Sequence, residues 1–437
     1  MSLGDNMKLF LKKFLPKPIL KFLIQVKNTL ISNPSKRRLF KKMQKKHKML
    51  LEQIKGKEKI KVVFLAIHKS VWKVDTIFQR MLKDPYFEPL ILVCPYTIYG
   101  EERMWEDMNE CYSYFEEKGY PLLSAFDKKE KRWLSLEEIE ADIVFFTNPH
   151  SLTRKEYYED AYLNYLTCYA GYGIDPNKYN NNEEQYNQLF HNAMWLIFVQ
   201  HKEMFDCYVK KNKEHKDNVY LVIDNIIEEL QKKENSEIVW KNYATHKKII
   251  FAPHHTIEKN TSFQLGNFLD YAEYIKDLVK QTQETITWSF KPHPMLKSKL
   301  YLEPNWGKAK TDDYFHFWET QSNTQFNDGE YIELFKQSDA MIHDSGAFLA
   351  EYIFTDKPSL YFTNKNTRNY LNGFGNACLD TVVESKNTEE LAKFINGILQ
   401  NLDEKKETRQ YFINNYFNTI NKNTKKDVLN IIQQNLM

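Results

Sequence analysis

The stretch MIHDSGAFLAEY, residues 341–352, decides how this 437-residue chain is read. Asp339-Ala340-Met341-Ile342 has the texture of the end of a buried strand, and Ala347 to Phe354 has the period of an amphipathic helix. An acid, a serine and a glycine stand between them, so His343 to Gly346 is predicted to be a strand-to-helix turn. The same change of period recurs along the chain. IKVVFLAI (60–67), PLILVCPY (89–96), ADIVFFTNP (141–149), NYLTCYA (164–170) and MWLIFVQH (194–201) are short apolar runs, with helical patterns at 75–82 and 104–119 between the first of them. A second series follows: KKIIFAPHH (247–255), TITWSFKPHP (285–294), the run at Ala340 and SLYF (359–362), spaced by helical patterns at 267–281 and 331–337. Such alternation argues for parallel, doubly wound sheets. The charged, helix-patterned segment Glu203 to Lys247 reads as a connector, and the asparagine-rich residues 175–189 as a surface loop or helix start.

The length favours two domains with appendages. A composition of 42% hydrophobic and 27% charged residues is ordinary for a folded protein and excludes global disorder. The five cysteines are scattered, with no Cys-x-x-Cys pair, which excludes a disulfide framework and a zinc ribbon and fits a reducing cytoplasm. No apolar run approaches the roughly 18–20 residues of a spanning helix. Lysines interrupt the first apolar residues, so no secretory signal is expected.

Charge is unevenly spread. Residues 1–57 hold 16 Lys and Arg against only Asp5 and Glu52, so a net charge of +3 conceals a net negative remainder. Within 7–31, Leu9, Phe10, Phe14, Leu15, Ile19, Leu20, Phe22, Leu23, Val26 and Leu30 alternate with lysines, and Leu39, Met43, Leu50 and Ile54 recur in a second basic stretch. This predicts a basic amphipathic arm on an anionic membrane surface, each lysine adding about 1 kcal/mol. A helix packed on its own domain is the plainer reading. Binding to nucleic acid is not expected, because no recognised nucleic-acid module follows the arm.

Three strand ends of the second series carry unusual residues: Pro253-His254-His255-Thr256, Lys291-Pro292-His293-Pro294 and His343-Asp344-Ser345-Gly346. Ligands of open parallel sheets collect at the carboxyl ends of strands, so these turns are expected to converge on one crevice. A helix starting after Ser345 would offer backbone N–H groups to a phosphate or diphosphate, with Gly346 allowing close approach, the Ser345 hydroxyl donating a further bond and Ala347 in the same donor-binding turn. His254, His255, Lys291 and His293 would add donors to a departing nucleoside phosphate, and Glu351 an acceptor for a ribose hydroxyl. The structural alternatives are a plain N-cap at Asp344-Ser345, a rigid Lys-Pro-His-Pro turn and a solvated Glu351. No metal is expected, since the adjacent His254 and His255 rarely reach one ion and no cysteine lies nearby.

APHHTI with Ser262-Phe263, FKPHP, and DSGAFLAEY with KPSLYF together resemble the carboxyl-terminal half of the CDP-glycerol glycerophosphotransferase family, across residues 245–365. The resemblance implies peripheral membrane enzymes of teichoic-acid and capsule synthesis. It also implies a GT-B fold of two Rossmann-like domains facing a cleft: an arm over 1–57, an acceptor domain over 58–240 and a nucleotide-donor domain over 241–437. His293-Pro294 and Asp344, Ser345 and Gly346 would contact the donor diphosphate. Family members that use glycerol phosphate carry a Trp-His-Gly-Thr-Pro-like motif whose histidine is taken as the base. Here Cys168-Tyr169-Ala170-Gly171-Tyr172-Gly173 puts Ala170 in its place. His68 and then His150, both at strand ends, are the substitute bases expected, with Asp175 a third.

The expected activity is transfer of glycerol phosphate or a related polyol phosphate from a CDP-activated donor to a lipid-linked glycan. It would take place on the inner face of the cell membrane, without metal or further cofactor. A nucleotide-sugar glycosyltransferase and a non-catalytic nucleotide-binding homologue are the alternatives.

Overall fold

The computed structural model describes residues 33–69, 72–171, 173–178, 183–232, 238–241, 245–258, 264–423 and 427–437. The first apolar stretch of the arm, Tyr172, Ser262 and Phe263 lie outside them.

Two parallel sheets carry the fold. β1 (Ile60–Ala66) is buried along nearly its whole length, which is what a strand covered on both faces requires. β2 (Phe87–Val93) and β3 (Leu122–Ser124) add on one side. A two-stranded antiparallel hairpin, β4 (Phe126–Asp127) and β5 (Arg132–Trp133), stands apart. β6 (Ile143–Phe146), β7 (Leu166–Ala170), β8 (Leu196–Val199) and β9 (Val219–Leu221) continue on the other side of β1, giving the order β3-β2-β1-β6-β7-β8-β9. The stacked rings of Phe64 and Phe145, 4.6 Å apart, bind β1 to β6.

The second sheet is built from β10 (Lys247–Ala252), β11 (Ile286–Phe290), β12 (Thr324–Phe326), β13 (Ala340–His343), β14 (Ser359–Phe362) and β15 (Val383–Ser385), in the order β12-β11-β10-β13-β14-β15. All its pairings are parallel. Its order reverses between β10 and β13, so the crevice opens at the ends of those two strands. This is the GT-B arrangement implied by the resemblance.

Four findings differ from the expectations or add to them. The connector is not all helical: β9 lies within it and pairs along the outer edge of β8. The helix Val428–Leu436 does not stay with the second unit. Its Val428, Leu429, Ile431 and Ile432 enter the core of the first, held by Arg80 to Asp427 at 2.8 Å and the Gln433 amide on Asp84 at 2.9 Å.

The described part of the arm is the helix Asn33–Ile54, whose Phe40 and Met43 are buried. Lys46 donates to the Leu163 carbonyl at 2.7 Å and Lys36 pairs with Glu183 at 2.8 Å. Its apolar face is therefore largely spent on its own domain, which corrects the expectation of a membrane-facing apolar stripe here; the outward face is mainly cationic, with Met49 exposed. Among the described residues no helix is long and apolar enough to cross a membrane.

Finally, one apolar core is shared. Ile174, Met204 and Tyr208 of the first unit pack in one cluster with Leu349, Ile353, Phe354, Tyr361, Leu371 and Leu379 of the second. On one side the two units meet through this shared apolar seam.

Candidate functional site

β10, β11 and β13 are neighbours, so their ends bring His254, His255 and His293 together. The ring centroids lie 4.4 Å (His254 to His255), 5.2 Å (His254 to His293) and 4.1 Å (His255 to His293) apart. Three imidazole nitrogens lie within 4.8 Å of one another, so adjacency does not keep His254 and His255 apart, contrary to the expectation from spacing.

The hydrogen bonds behind the rings decide what such a cluster can hold. Met295 N–H donates to His293 Nδ1 at 3.1 Å. Thr256 N–H donates to His254 Nδ1 at 3.3 Å. The Thr256 hydroxyl oxygen, already accepting from Leu265 and Gly266 N–H, stands 2.9 Å from that same Nδ1 and turns its proton toward it. With Nδ1 accepting, the neutral ring of His254 and of His293 carries its proton on Nε2. A metal-binding histidine shows the reverse pattern, donating from the nitrogen that does not bind. These two rings present N–H donors, which suit an anion.

Burial, reinforced by the neighbouring imidazoles, holds His254 well below its ordinary value and His293 down at about 3; burial and Lys299 bring His255 to about 4. All three are neutral at physiological pH. Lys291, 6% exposed, has no side-chain hydrogen bond or ion pair among the described residues, and burial lowers it to about 8. It supplies the positive charge beside the neutral rings.

The turn after β13 is built differently from the expectation. Asp344 faces inward: its carboxylate accepts the backbone N–H of His254 at 2.6 Å and of Asn267 at 2.5 Å. Burial raises it to about 7. It staples the loops that shape the crevice and is not placed to touch a diphosphate. Ser345 is the N-cap of the helix Gly346–Tyr352, its Oγ accepting from Phe348 N–H at 3.5 Å. Ala347 is exposed.

Gly346 is covered by the first unit, since a Cβ there would stand 3.1 Å from Asn177 Oδ1 and 3.5 Å from Pro176 Cγ. Residues 173–178 form a strap across the seam. The Pro176 carbonyl accepts Asn372 N–H at 2.9 Å, the Asp175 carbonyl accepts the Asn372 amide at 2.8 Å, and Lys178 N–H donates to Tyr370 O at 2.7 Å. On the other flank His201 stacks on Phe374 at 4.2 Å and Glu203 accepts Phe374 N–H at 2.8 Å.

The expected bases are all engaged. His68 lies 3.9 Å from Asp107, which Arg103 holds at 2.8 Å, and burial lowers its affinity for a proton. His150 stands 3.4 Å from the Gln188 amide. Asp175 accepts Asn177 N–H at 3.0 Å and the Tyr186 hydroxyl at 3.2 Å. Ala170 ends β7 and is buried.

Glu351 is neither solvated nor remote. It is 2% exposed, and its Oε2 accepts the Tyr331 hydroxyl at 2.6 Å. Lys73 of the first unit donates to the same hydroxyl at 2.6 Å. Nearby, the Tyr114 hydroxyl meets Glu330 at 2.5 Å and Lys118 pairs with Glu330 at 3.2 Å, closing the seam on this side. Lys73, Tyr331 and Asp224 were not legible as site residues, because they sit in three unrelated segments with no motif spacing.

Comparison with known proteins follows the same lines. Residues 222–434 match the family described as CDP-Glycerol:Poly(glycerophosphate) glycerophosphotransferase, in agreement with the motifs. Among solved structures, a putative UDP-N-acetylglucosamine 2-epimerase from Listeria monocytogenes aligns with a TM-score of 0.51 at 16% identity, over 80% of this chain and 89% of its own. A second UDP-N-acetylglucosamine 2-epimerase gives 0.51 at 15% identity, over 81% and 91%. Those two likenesses concern the fold. The wall teichoic acid polymerase TagF aligns over 92% of this chain and 98% of its own at 13% identity, with a TM-score of 0.47. No curated relative matches the sequence.

Proposed function

We propose, from the match of residues 222–434 to the CDP-glycerol glycerophosphotransferase family, that this protein transfers glycerol phosphate or a related polyol phosphate from a CDP-activated donor. The acceptor is a hydroxyl of a lipid-linked cell-wall or capsule glycan. The protein works at the cytoplasmic face of the membrane, to which the cationic residues of 1–57 bind it.

One observation carries the reading: His254 and His293, each with Nδ1 occupied from behind, offer Nε2–H donors beside a buried Lys291 at the switch point of the second sheet. Such donors, fixed before the reaction and shielded from water, act most strongly on charge that develops on a leaving phosphate. The acceptor oxygen attacks the phosphorus of the transferred group, and the nucleoside monophosphate leaves with the electron pair of the broken P–O bond.

A second reading, transfer of a sugar from a nucleotide donor, is favoured by Ala170, which leaves no imidazole at the end of β7. Incubation with CDP-glycerol, CDP-ribitol, UDP-sugars and GDP-sugars, with membrane extract as acceptor, separates the two. Release of CMP from a CDP-polyol is expected. Release of UDP or GDP alone supports the sugar reading, and tight CDP binding without product from any acceptor supports a non-catalytic homologue.

A further inference from the structure

We propose that Tyr114 and Lys118 of the first unit are positioning residues for the donor site: by holding Glu330 they keep it from pairing with Lys291, whose positive charge is left for a phosphate of the donor. The inference rests on the transfer reaction proposed above.

The loop that carries Glu330 leaves its strand beside Lys291. β11 and β12 run in register with Phe290 opposite Phe326. Asn327 N–H donates to the Phe290 carbonyl at 2.9 Å, and the Ser289 hydroxyl donates to Asn327 Oδ1 at 2.7 Å. Lys291 and Asn327 are therefore the next residues along two adjacent strands. Glu330 follows Asn327 by three residues, at most about 11 Å of chain. The side chains of a lysine and a glutamate span that separation.

Glu330 is instead held by the other unit. Its Oε1 accepts the Tyr114 hydroxyl at 2.5 Å and pairs with Lys118 at 3.2 Å, at the end of the helix Glu101–Glu117. Against burial, these two groups hold its carboxyl below the ordinary value. The next residue is gripped as well: Lys73 donates to the Tyr331 hydroxyl at 2.6 Å and lies 4.3 Å from the centre of its ring. Three side chains of the first unit thus fix two adjacent residues of one loop of the second.

Lys291 stays unpaired within reach of that loop. It is 6% exposed and makes no side-chain hydrogen bond or ion pair among the described residues. The charged and titratable groups that face it are Asp328, Glu330, Lys73 and His293. Asp328 is exposed to water, and Glu330 is drawn off. A buried ammonium without a partner is costly, and a mobile carboxylate nearby would take it up. Burial lowers Lys291 to about 8, with Asp328 and Glu330 acting against it and Lys73 adding to it. Parting of the two units would free Glu330 to neutralise Lys291, so the site carries its full charge only while the units are clasped.

The test combines Tyr114→Phe and Lys118→Met, which release Glu330, with and without Glu330→Gln. One readout is the titration of Lys291, followed by competitive labelling with a small acylating reagent and mass spectrometry. The other is CDP affinity by calorimetry. Release of Glu330 should move the titration midpoint of Lys291 up by about 1 or more, the effect of one opposite charge close by. CDP affinity should fall about tenfold, the scale of losing one hydrogen bond to a charged group. Adding Glu330→Gln should reverse both changes. An unmoved midpoint in the double variant overturns the proposal. A raised midpoint that persists with Glu330→Gln overturns it too, because greater exposure of Lys291 then accounts for the change. If the double variant does not fold, Lys118→Met alone decides: the midpoint should move in the same direction, and no movement counts against the role. Wild-type protein inactive on every donor overturns the transfer reading, while labelling still decides whether Glu330 is kept off Lys291. Intact transfer with an unmoved midpoint overturns the positioning role alone.

Discussion

At the scale of single residues, two members of what looks like one motif set do opposite work. His293 turns an N–H donor outward, while Asp344 turns its carboxylate inward onto two backbone amides. Their substitutions should separate. His293→Ala is expected to lower donor turnover by about 10²-fold, the scale of losing one fixed donor to a transition-state charge, with little change in the thermal midpoint. Asp344→Ala strands two buried N–H groups at about 1–3 kcal/mol each, so its midpoint should fall by several degrees. Paired melting curves and steady-state rates check this, and equal loss of stability in both variants would erase the distinction. Lys357 is a further structural case: its ammonium donates to the Phe335, Lys336 and Ser338 carbonyls at the end of the helix Ile332–Gln337. Sequence reading could place Lys357 in the Lys-Pro run but not on those carbonyls.

At the scale of elements, the strap 173–178 and the helix Asn33–Ile54 matter most. A Cβ on Gly375 would run into the Pro176 carbonyl oxygen, so Gly375→Ala cannot coexist with the docked strap. Faster cleavage within residues 173–178 by a nonspecific protease and a lower melting temperature are expected for that variant; wild-type cleavage kinetics would refute the latch. For the arm, the buried Phe40 and Met43 tie the described helix to the first unit. Removal of residues 1–32 should reduce sedimentation with anionic vesicles, with the melting temperature followed alongside. Removal of residues 1–57 should lower both. Undiminished sedimentation after the longer deletion would end the membrane role.

Much of the element level was legible. The alternating runs identified most central strands, because a hydrophobic period is a local property. The short edge strands β3, β9, β12 and β15 carry three residues each, too few for a period, and β9 was absorbed into a charged connector. The core contacts of the helix Asn33–Ile54 were hidden too. Leu39, Met43, Leu50 and Ile54 make the same stripe whether the partner is a lipid surface or a protein domain.

At the scale of the molecule, the shared core and the returning carboxyl-terminal helix make the two units depend on each other. Residues 241–437 expressed alone would expose Leu349, Phe354, Tyr361 and Leu379. The fragment is expected to bind a hydrophobic dye and aggregate, and a monodisperse, cooperatively melting fragment would contradict that interdependence. The pH response follows from the same burial. His47, His201 and His255 are held at about 4, and His293 and His343 at about 3, by burial first in every case. In the unfolded chain they titrate near 6.5. Below that pH the unfolded state takes up protons that the folded state refuses, so stability falls as pH drops from about 6.5 to about 4. Asp224 and Asp344, raised to about 7, act in the opposite sense over that window, since the folded state holds their protons longer. The histidines outnumber them. Melting temperatures recorded from pH 7 to pH 4.5 should decline, and less steeply in His293→Ala.

Sequence alone determined that the chain alternates strand and helix, that it forms two parallel units, and that histidines and a lysine stand at three strand ends of the second. Each of these follows from residues close together in the chain. Only the tertiary structure decided which of those polar groups face a ligand. Asp344 turns inward because the amides it satisfies belong to His254 and Asn267, 90 and 77 residues away. Glu351 gains its setting from Lys73 and Tyr331, 258 residues apart. Burial and hydrogen-bond partners are properties of a packed neighbourhood, and here that neighbourhood is assembled from segments of both units.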